Sequence, residues 1–353
     1  MTVPSLRRAR STAVLGVVAV LALAACSSGG PTPSTTVTPD PAVDKSAPPS
    51  PEVPVTWPLT GVTADQVAER PALAVKIENA PVARPQTGLE AADIVWEEVV
   101  EGGVSRFVAV YHSAIPDVVE PVRSVRPMDP AIVAPLDGLL AYSGAQPPFI
   151  EAVEASGTQS VIMDRGDAGF SRDRSRYAPH NVVGDMQAFL DQADGERSVP
   201  PPAQFDYADA PGEGTASADG KKAGTLDVVL SPAQRSVWDW DADSGTWLRS
   251  EGSQESVSSD GTRHAARNVL AMSTVIVNTA YKDPGGAPVP ETQLVGSGQG
   301  VLAAGGKVLT VKWSKEDLHA PVELTHDGEP VELDPGSTWI ELVPRGTGSW
   351  SVS

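Results

Sequence analysis

Arginine dominates the cationic side chains between residues 70 and 176. This stretch contains nine arginines and a single lysine, Lys76. A guanidinium group is a flat fork that holds a carboxylate or a phosphate through two parallel hydrogen bonds, whereas a lysine ammonium acts as a point charge. Because the chain as a whole has a formal net charge of −19, this concentration predicts a local pocket for an oxyanion, with internal salt bridging as the alternative. The candidate pocket residues are Arg84, Arg106, Arg123 and Arg126.

Two of these arginines lie three residues apart in Arg123-Ser-Val-Arg126. Residues at this spacing share a face of a turn or of a helix start. Both guanidinium groups could therefore clamp one phosphate or carboxylate, together with free backbone N–H groups of the following segment.

Further candidate ligand contacts follow at residues 172–181. Arg176 is the last of three closely spaced arginines, which precede Pro179-His180-Asn181. A histidine in this position can act in catalysis, contact a ligand, or make hydrogen bonds within a loop. The sequence leaves these roles open for His180, and we include Arg176 and Asn181 as candidate contacts.

The segment around Gly102-Gly103 predicts a β-hairpin with a two-residue turn. In that register Glu97 opposes Val108, and period-two alternation separates three acids from three aromatic residues. The acids are Asp93, Glu97 and Glu101, and the aromatic residues are Trp96, Phe107 and Tyr111. Arg106 would lie diagonal to Glu97 and Glu101. The acidic face is then either an ion-pair ladder around Arg106 or a carboxylate cluster able to hold a divalent cation.

No sequence motif names a reaction. The five histidines lack the spacing of metal ligands, and the G-x-S-x-G, P-loop and S-x-x-K motifs are absent. Ser143-Gly144 follows a predicted strand, so the Ser143 hydroxyl would lie at a strand end, without a base paired to it in sequence. The glycine-rich residues 296–300 are interpreted as a loop. We predict no cofactor and no resident metal, and whether the protein is an enzyme stays open.

Residues 1–25 have the features of a lipoprotein signal peptide. Three arginines and no acid precede an apolar run, residues 13–25, which is shorter than the ~20 residues of a membrane-spanning helix. Small residues lead into Cys26, the single cysteine of the chain. We predict that Cys26 is lipidated, which would anchor the protein at the outer face of the cytoplasmic membrane. The alternative is an ordinary cleaved signal with an incidental cysteine.

Composition divides the remaining chain. Residues 26–57 are rich in proline, serine and threonine and predict a disordered tether. Residues 58–196 predict a mixed α/β domain, with strands at 73–77, 94–100, 104–111, 138–143 and 160–163 and helices at 128–136, 148–155 and 185–193. Residues 197–222 are interpreted as a linker. Residues 223–353 predict a β-rich domain, with strands at 226–230, 237–240, 247–249, 269–277, 308–313 and 338–343. The expected fold class is α+β.

The order of several short motifs resembles the YerB-like lipoproteins, a family of unknown function. The motifs are Ala83-Arg84-Pro85-Gln86-x-Gly88-Leu89, Ala92-Asp93-Ile94-Val95-x-Glu97, Glu101-Gly102-Gly103-x-Ser105-Arg106-Phe107, Pro121-Val-Arg123-Ser-Val-Arg126-Pro127, Ser143-Gly144, Pro179-His180-Asn181, Arg267-Asn268-Val269 and Pro335-Gly336-x-Thr338-Trp339-Ile340. The resemblance runs from about residue 58 to the C-terminus. Ala145 departs from it, since a second glycine is expected there. It implies a two-domain, lipid-anchored extracytoplasmic protein, and it implies no reaction.

Two functions of different classes remain, beside a purely structural or signalling role. The favoured one is a binding or accessory module of the cell envelope that holds an anionic glycan, a peptide carboxylate or an acidic segment of a partner protein. The alternative is an enzyme acting on pyrophosphate-linked glycans, because the motif order is similar to that of LytR-CpsA-Psr phosphotransferases. Asp93 and Glu97 would then hold magnesium, and Arg123 and Arg126 would neutralise the pyrophosphate. The strong acidity of the chain argues against nucleic-acid binding.

Overall fold

The computed structural model describes residues 54–353. The predicted signal peptide, Cys26 and most of the predicted tether lie outside these residues. Within the described residues, the predicted end of the tether contacts the folded body. Thr56 forms a β-bridge with Thr63, and the Trp57 ring meets the His112 ring edge-on at a centroid distance of 5.2 Å.

Strands dominate the described chain, and its helices are few and short. The strands before residue 200 are β1 (Leu73–Glu78), β2 (Ile94–Val99), β3 (Ser105–Tyr111), β4 (Val118–Val119), β5 (Leu139–Tyr142), β6 (Gln159–Ile162), β7 (Phe170–Arg172) and β8 (Val182–Asp185). The helices of this part are α1 (Asp129–Val133), α2 (Pro147–Ala155) and α3 (Met186–Leu190), with short 3₁₀ turns at Pro81–Ala83, Leu89–Ala91, Glu101–Gly103, Ala134–Leu136 and Met163–Arg165.

The second half is almost entirely β-structure after α4 (Thr215–Asp219). Its strands are β9 (Lys221–Lys222), β10 (Thr225–Ser231), β11 (Gln234–Asp241), β12 (Thr246–Glu251), β13 (Gln254–Glu255), β14 (Ala265–Ala266), β15 (Asn268–Lys282), β16 (Pro288–Gln293), β17 (Gly296–Ala304), β18 (Lys307–Lys315), β19 (Glu323–His326), β20 (Glu329–Pro330), β21 (Thr338–Pro344) and β22 (Ser349–Val352).

The main predicted strands and helices are confirmed, with ends shifted by a few residues. The prediction of a loop at residues 296–300 is wrong, because they open β17, which pairs with β18. A Cβ atom at Gly298 or Gly300 would lie 2.6 Å or 2.7 Å from a carbonyl oxygen of β15. Glycine therefore permits the backbones of β17 and β15 to approach each other closely. In the sequence these glycines are interpreted as a loop because no side-chain pattern marks the strand.

One large sheet takes strands from both predicted domains. Its thirteen strands follow the order β20-β19-β18-β17-β15-β21-β2-β3-β1-β5-β6, with β16 beside β15 and β9 beside β18. The penultimate strand of the chain, β21, lies between β15 and β2 and runs parallel to both. A six-stranded sheet (β13-β12-β11-β10-β22, with β14) and a three-stranded sheet (β4-β8-β7) complete the fold. The expected α+β class therefore holds only in part, since strands outweigh helices throughout.

The two faces of the large sheet are covered differently. On one face Val108 and Val110 of β3 pack with apolar side chains from α1 and α2. On the other face Phe107 and Ala109 pack with the six-stranded sheet. The predicted linker is itself packed into the body, where the Tyr207 hydroxyl donates to the Leu59 carbonyl oxygen at 2.6 Å.

The predicted register of the β2–β3 hairpin is wrong by one residue. Glu98, not Val99, lies opposite Arg106, because the turn contains three residues, Glu101–Gly103. Gly102 and Gly103 have φ angles of 72° and 73°, and the Val100 N–H donates to the Val104 carbonyl oxygen at 2.8 Å. A shift of one residue exchanges the two faces of a paired strand. Trp96 consequently lies on the face opposite to Phe107 and Tyr111.

Candidate functional site

The site begins where β1 and β5 separate. These parallel neighbours pair only from Leu73↔Leu139 to Val75↔Ala141. Beyond that point the segment containing Arg123 lies between them. The Arg123 N–H donates to the Lys76 carbonyl oxygen at 2.8 Å, and the Ser143 N–H donates to the Arg123 carbonyl oxygen at 3.0 Å. The carboxyl ends of diverging strands are a common position for ligand sites in sheets with parallel strands.

A row of charged residues crosses the sheet at this end. Glu98 of β2, Arg106 of β3 and Glu78 of β1 are register partners, so their side chains leave the same face. Arg123 and Arg126 approach this row from the inserted segment. The predicted pocket residues that the structure brings together are Arg106, Arg123, Arg126, Glu101 and His180. We call these residues, with Glu78, Ser124 and Ser143, the end-of-sheet site.

Arg106 is the most deeply placed cation of this site. It is only 7% exposed, and its Nη1 donates to the Ser124 carbonyl oxygen at 2.6 Å. Within residues 54–353 its other N–H groups have no hydrogen-bond acceptor, and it forms no ion pair within 4.0 Å. Burial, followed by the charges of Arg126 and Arg123, lowers the pKa of Arg106 to about 9. The cation is thus held in place without a carboxylate of its own.

Glu78 contacts two more accessible side chains, the Arg123 guanidinium and the His180 imidazole. Its Oε1 lies 3.3 Å from Nε of Arg123, and its Oε2 lies 2.9 Å from Nδ1 of His180. The carboxylate is almost completely buried, whereas the Arg123 and His180 side chains are 21% and 23% exposed. Arg123 and His180 are therefore the solvent-accessible partners of Glu78.

Arg126 is committed to Glu101. Nε lies 2.8 Å and 3.0 Å from the two carboxylate oxygens, and Nη2 lies 2.8 Å from Oε2. This is a forked ion pair of the kind that fixes both side chains. Arg126 contributes charge to the site, but its hydrogen-bonding capacity is largely occupied.

A buried triad below the site was missed by the sequence reasoning. The Lys76 ammonium donates to Glu98 and, at 2.8 Å, to Asp129, and all three side chains are fully buried. Burial and the nearby Asp129 raise the pKa of Glu98 to about 8, against the opposing effect of Lys76. The only sequence signal was the single lysine in an arginine-rich region.

Two hydroxyl groups line the same end of the sheet. Oγ of Ser124 and Oγ of Ser143 are 3.2 Å apart, so Ser143 does lie at a strand end as predicted. Asp164, in the 3₁₀ turn that follows β6, lies against Gly144, where a Cβ atom would collide with its carboxylate.

Arg84 and Glu97 belong to a different cluster, on the opposite face. Arg84 lies 2.8 Å from Glu251 and also donates to Asn79 and Gln234. Glu97 accepts from Nη2 of Arg249 at 2.7 Å. Arg84 therefore does not converge with the other three arginines, and the one-residue change of register explains why Glu97 turns away from Arg106.

Arg249, a fully buried residue that sequence reasoning also missed, organises this second cluster. It pairs with Glu97 and Glu251, and its guanidinium carbon lies 5.0 Å from the Trp339 ring centroid. Burial alone would lower the pKa of Arg249, but the charges of Glu251, Glu97 and Glu341 raise it. The cluster joins the large sheet to the six-stranded sheet.

The remaining predicted contacts shape loops. Asp93 accepts from the His112 and Ser113 N–H groups at 2.6 Å and 2.8 Å, and its pKa is raised by burial. Arg176 donates to the carbonyl oxygens of Ala83 and Pro85 at 2.9 Å and 2.7 Å. The Asn181 amide bonds within its own loop, to Arg172 and to the Asp173 backbone. These residues hold the surroundings of the site in place.

The predicted carboxylate cluster for a divalent cation is not formed. Asp93 accepts from backbone N–H groups, Glu97 pairs with Arg249 and Glu101 pairs with Arg126. Among residues 54–353 no group of three histidine, cysteine, aspartate or glutamate side chains is placed to hold a metal ion. In the same range, none of the helices combines the length and the apolar character needed to cross a bilayer.

Comparison with known proteins identifies the family. Residues 59–199 match the model described as "Protein of unknown function (DUF3048) N-terminal domain", and residues 226–340 match its C-terminal counterpart. The chain belongs to this family. The end-of-sheet site lies wholly within the DUF3048 N-terminal match, and Arg249 lies within the C-terminal match.

A relative and a solved structure agree with this assignment to the DUF3048 family. The chain is 26% identical over 293 residues to the protein named "Putative lipoprotein YerB" from Bacillus subtilis (strain 168), covering 81% of this chain and 86% of the relative. The crystal structure of YerB protein from Bacillus subtilis superposes with a TM-score of 0.73 at 24% identity. The superposition covers 84% of this chain and 99% of that one. The crystal structure supports the fold.

Proposed function

We propose that this protein is a lipid-anchored binding or accessory protein of the cell envelope, which holds an anionic ligand at the end-of-sheet site. The candidate ligands are a cell-wall glycan, a peptide carboxylate and an acidic segment of a partner protein. The anchor is Cys26, at the outer face of the cytoplasmic membrane. The similarity to a relative named as a lipoprotein supports this location.

The observation that carries the binding proposal is the state of Arg106. A buried charge is costly unless it is paired and hydrogen-bonded. Arg106 is 7% exposed, its Nη1 hydrogen-bonds to a backbone carbonyl oxygen, and Arg123 and Arg126 add like charge beside it. An anion entering between Arg123 and His180 would supply the missing partner.

The binding proposal is tested by retention on purified cell wall. Arg123→Ala removes an accessible guanidinium, and Arg123→Ala/Arg126→Ala removes two. Both variants should lose most of the retention of the wild type. Arg235→Ala is the matched control, because Arg235 is an exposed arginine paired with Asp227 in the six-stranded sheet. Unchanged retention of folded Arg123→Ala would overturn the proposal.

The anchoring proposal has its own test. Full-length protein with Cys26→Ser should move from the membrane fraction to the soluble fraction. A Ser27→Ala variant, changed at the neighbouring position, should remain with the membranes. Membrane association that persists in Cys26→Ser would contradict lipid anchoring at this residue.

A further inference from the structure

We infer that the end-of-sheet site is built for a phosphoryl group, either in a phosphodiester or as free phosphate, in preference to a carboxylate. This inference rests on the proposed function and narrows it to one ligand chemistry. Its basis is the set of unoccupied donors and the directions from which they come.

The first argument concerns donors on side chains. Arg106 reaches the site from β3, and Arg123 comes from the segment inserted between β1 and β5. Nε of Arg123 lies 3.3 Å from Oε1 of Glu78 without forming a hydrogen bond, and among residues 54–353 its terminal nitrogens have no hydrogen-bond acceptor. Arg106 keeps unused N–H groups as well. Two guanidinium groups on different elements therefore offer hydrogen bonds from two directions.

The second argument concerns the two serines. Ser124 and Ser143 share one hydrogen bond, so only one of the two hydroxyl hydrogens is used between them. The other hydroxyl remains able to donate to a ligand.

The directions of these donors suit a phosphoryl group better than a carboxylate. A carboxylate has two oxygens in one plane, and this geometry is already matched where Glu101 meets Arg126. A phosphoryl group arranges its oxygens tetrahedrally, so it can accept from Arg106, from Arg123 and from a hydroxyl on a third side.

The charge of the site admits a monoanionic ligand of either class. Three guanidinium groups, on Arg106, Arg123 and Arg126, face two carboxylates, Glu78 and Glu101. A phosphodiester and a carboxylate each carry a single negative charge, so the choice between them rests on the directions of the donors.

Calorimetry on the full-length chain carrying Cys26→Ser distinguishes the ligand classes. The probes are inorganic phosphate, an oligomer of glycerol phosphate, and an oligogalacturonate of the same charge. We expect the glycerol phosphate oligomer to bind about ten-fold more tightly than the oligogalacturonate, a difference of about 1.4 kcal/mol. Arg106→Lys should weaken phosphate binding about ten-fold, because a point charge replaces the fork.

The serines provide a variant that preserves the fold. Ser124→Ala/Ser143→Ala removes only two hydroxyl groups and should weaken binding of the phosphate probes several-fold, with Arg235→Ala as the unchanged control. Undiminished phosphate affinity in the folded double variant would overturn the inference. Binding of inorganic phosphate without the oligomer would support the phosphoryl site and assign it to free phosphate.

The outcomes also separate this inference from the proposed function. If the oligogalacturonate binds at least as tightly as the phosphate probes, the phosphoryl preference is wrong, whereas anion binding stands. If none of the three anions binds, both proposals fail.

Discussion

The carboxyl groups of Glu97 and Glu341 lie side by side on neighbouring parallel strands, at the register position where β2 meets β21. Both side chains are fully buried, and Ser236 Oγ lies 3.3 Å from one and 3.5 Å from the other. Two adjacent buried carboxylates cannot both keep a negative charge at low cost. Burial and then the charge of Glu97 raise the pKa of Glu341 well above its usual value. We therefore expect Glu341 to carry a proton in the folded protein at neutral pH.

This proton makes stability depend on pH. An unfolded glutamate loses its proton near pH 4.3, whereas folded Glu341 keeps it to much higher pH. The folded state binds more protons in that window, so the free energy of unfolding falls as pH rises, by up to about 1.4 kcal/mol per pH unit. In Glu341→Gln this part of the decline should disappear, because the neutral amide can accept from Trp238 as the carboxyl does.

Urea unfolding from about pH 5 to about pH 8 measures this slope. Glu323→Gln is the matched control, because Glu323 is exposed on β19 and its replacement should leave the slope unchanged. Identical slopes for wild type and Glu341→Gln would contradict the protonated state of Glu341.

Loss of Arg249 should be among the most damaging single changes in the body. Arg249→Met keeps much of the apolar contact with Trp339 but leaves Glu97 and Glu251 buried without their cation. We expect a destabilisation of about 3–5 kcal/mol, as for other broken buried ion pairs. Arg235→Ala breaks an exposed pair with Asp227 and should cost less than about 1 kcal/mol. Equal losses in thermal unfolding would show that Arg249 is not the organising charge of its cluster.

The sequence predicts strands and helices well where periodicity and turn residues coincide, as in β1, β3 and α2. It could not give the register of the β2–β3 hairpin, because glycine pairs are compatible with both two-residue and three-residue turns. That single residue decides whether Glu97 or Glu98 lies beside Arg106. A local pattern therefore predicted a charged cluster around Arg106 but assigned the wrong acid to it.

Long-range pairing limited the prediction of the site more strongly. Arg249 and Glu97 are 152 residues apart in sequence, and no local pattern connects them. Proximity in sequence places Arg84 with the other arginines. Its ion-pair partner Glu251, however, belongs to the six-stranded sheet. The arginine content indicates that charged clusters exist. Only the sheet topology shows that they lie on opposite faces of the large sheet.

The Arg126–Glu101 pair should be energetically coupled. Because both side chains are mostly buried and joined by a fork, a double-mutant cycle with Arg126→Gln and Glu101→Gln should give a coupling free energy of about 1–2 kcal/mol. The same cycle at Arg165 and Glu154, whose side chains are 49% and 40% exposed, should give less than about 1 kcal/mol. Coupling at Arg126–Glu101 no larger than in this exposed pair would mean that the fork does not fix the site.

Arg106 should cost the protein stability in the absence of its ligand. Arg106→Met removes a buried cation that has no carboxylate partner. The other charged contacts remain, because Glu78 still contacts Arg123 and His180, and Glu98 still pairs with Lys76. Replacing an unpaired buried charge by an apolar side chain of similar length is neutral or stabilising. In phosphate-free buffer the melting temperature of Arg106→Met should therefore equal or exceed that of the wild type.

Addition of the glycerol phosphate oligomer should reverse this order. At 100 times its dissociation constant a ligand stabilises the folded state by about 2.7 kcal/mol, so the wild-type melting temperature should rise and that of Arg106→Met should not. Function would then oppose stability at this residue, as expected for a charge kept for binding. Thermal unfolding with and without the oligomer gives both comparisons in one experiment. A variant that is strongly destabilised without ligand, or that still gains stability from the oligomer, would show that Arg106 serves the fold and not the ligand.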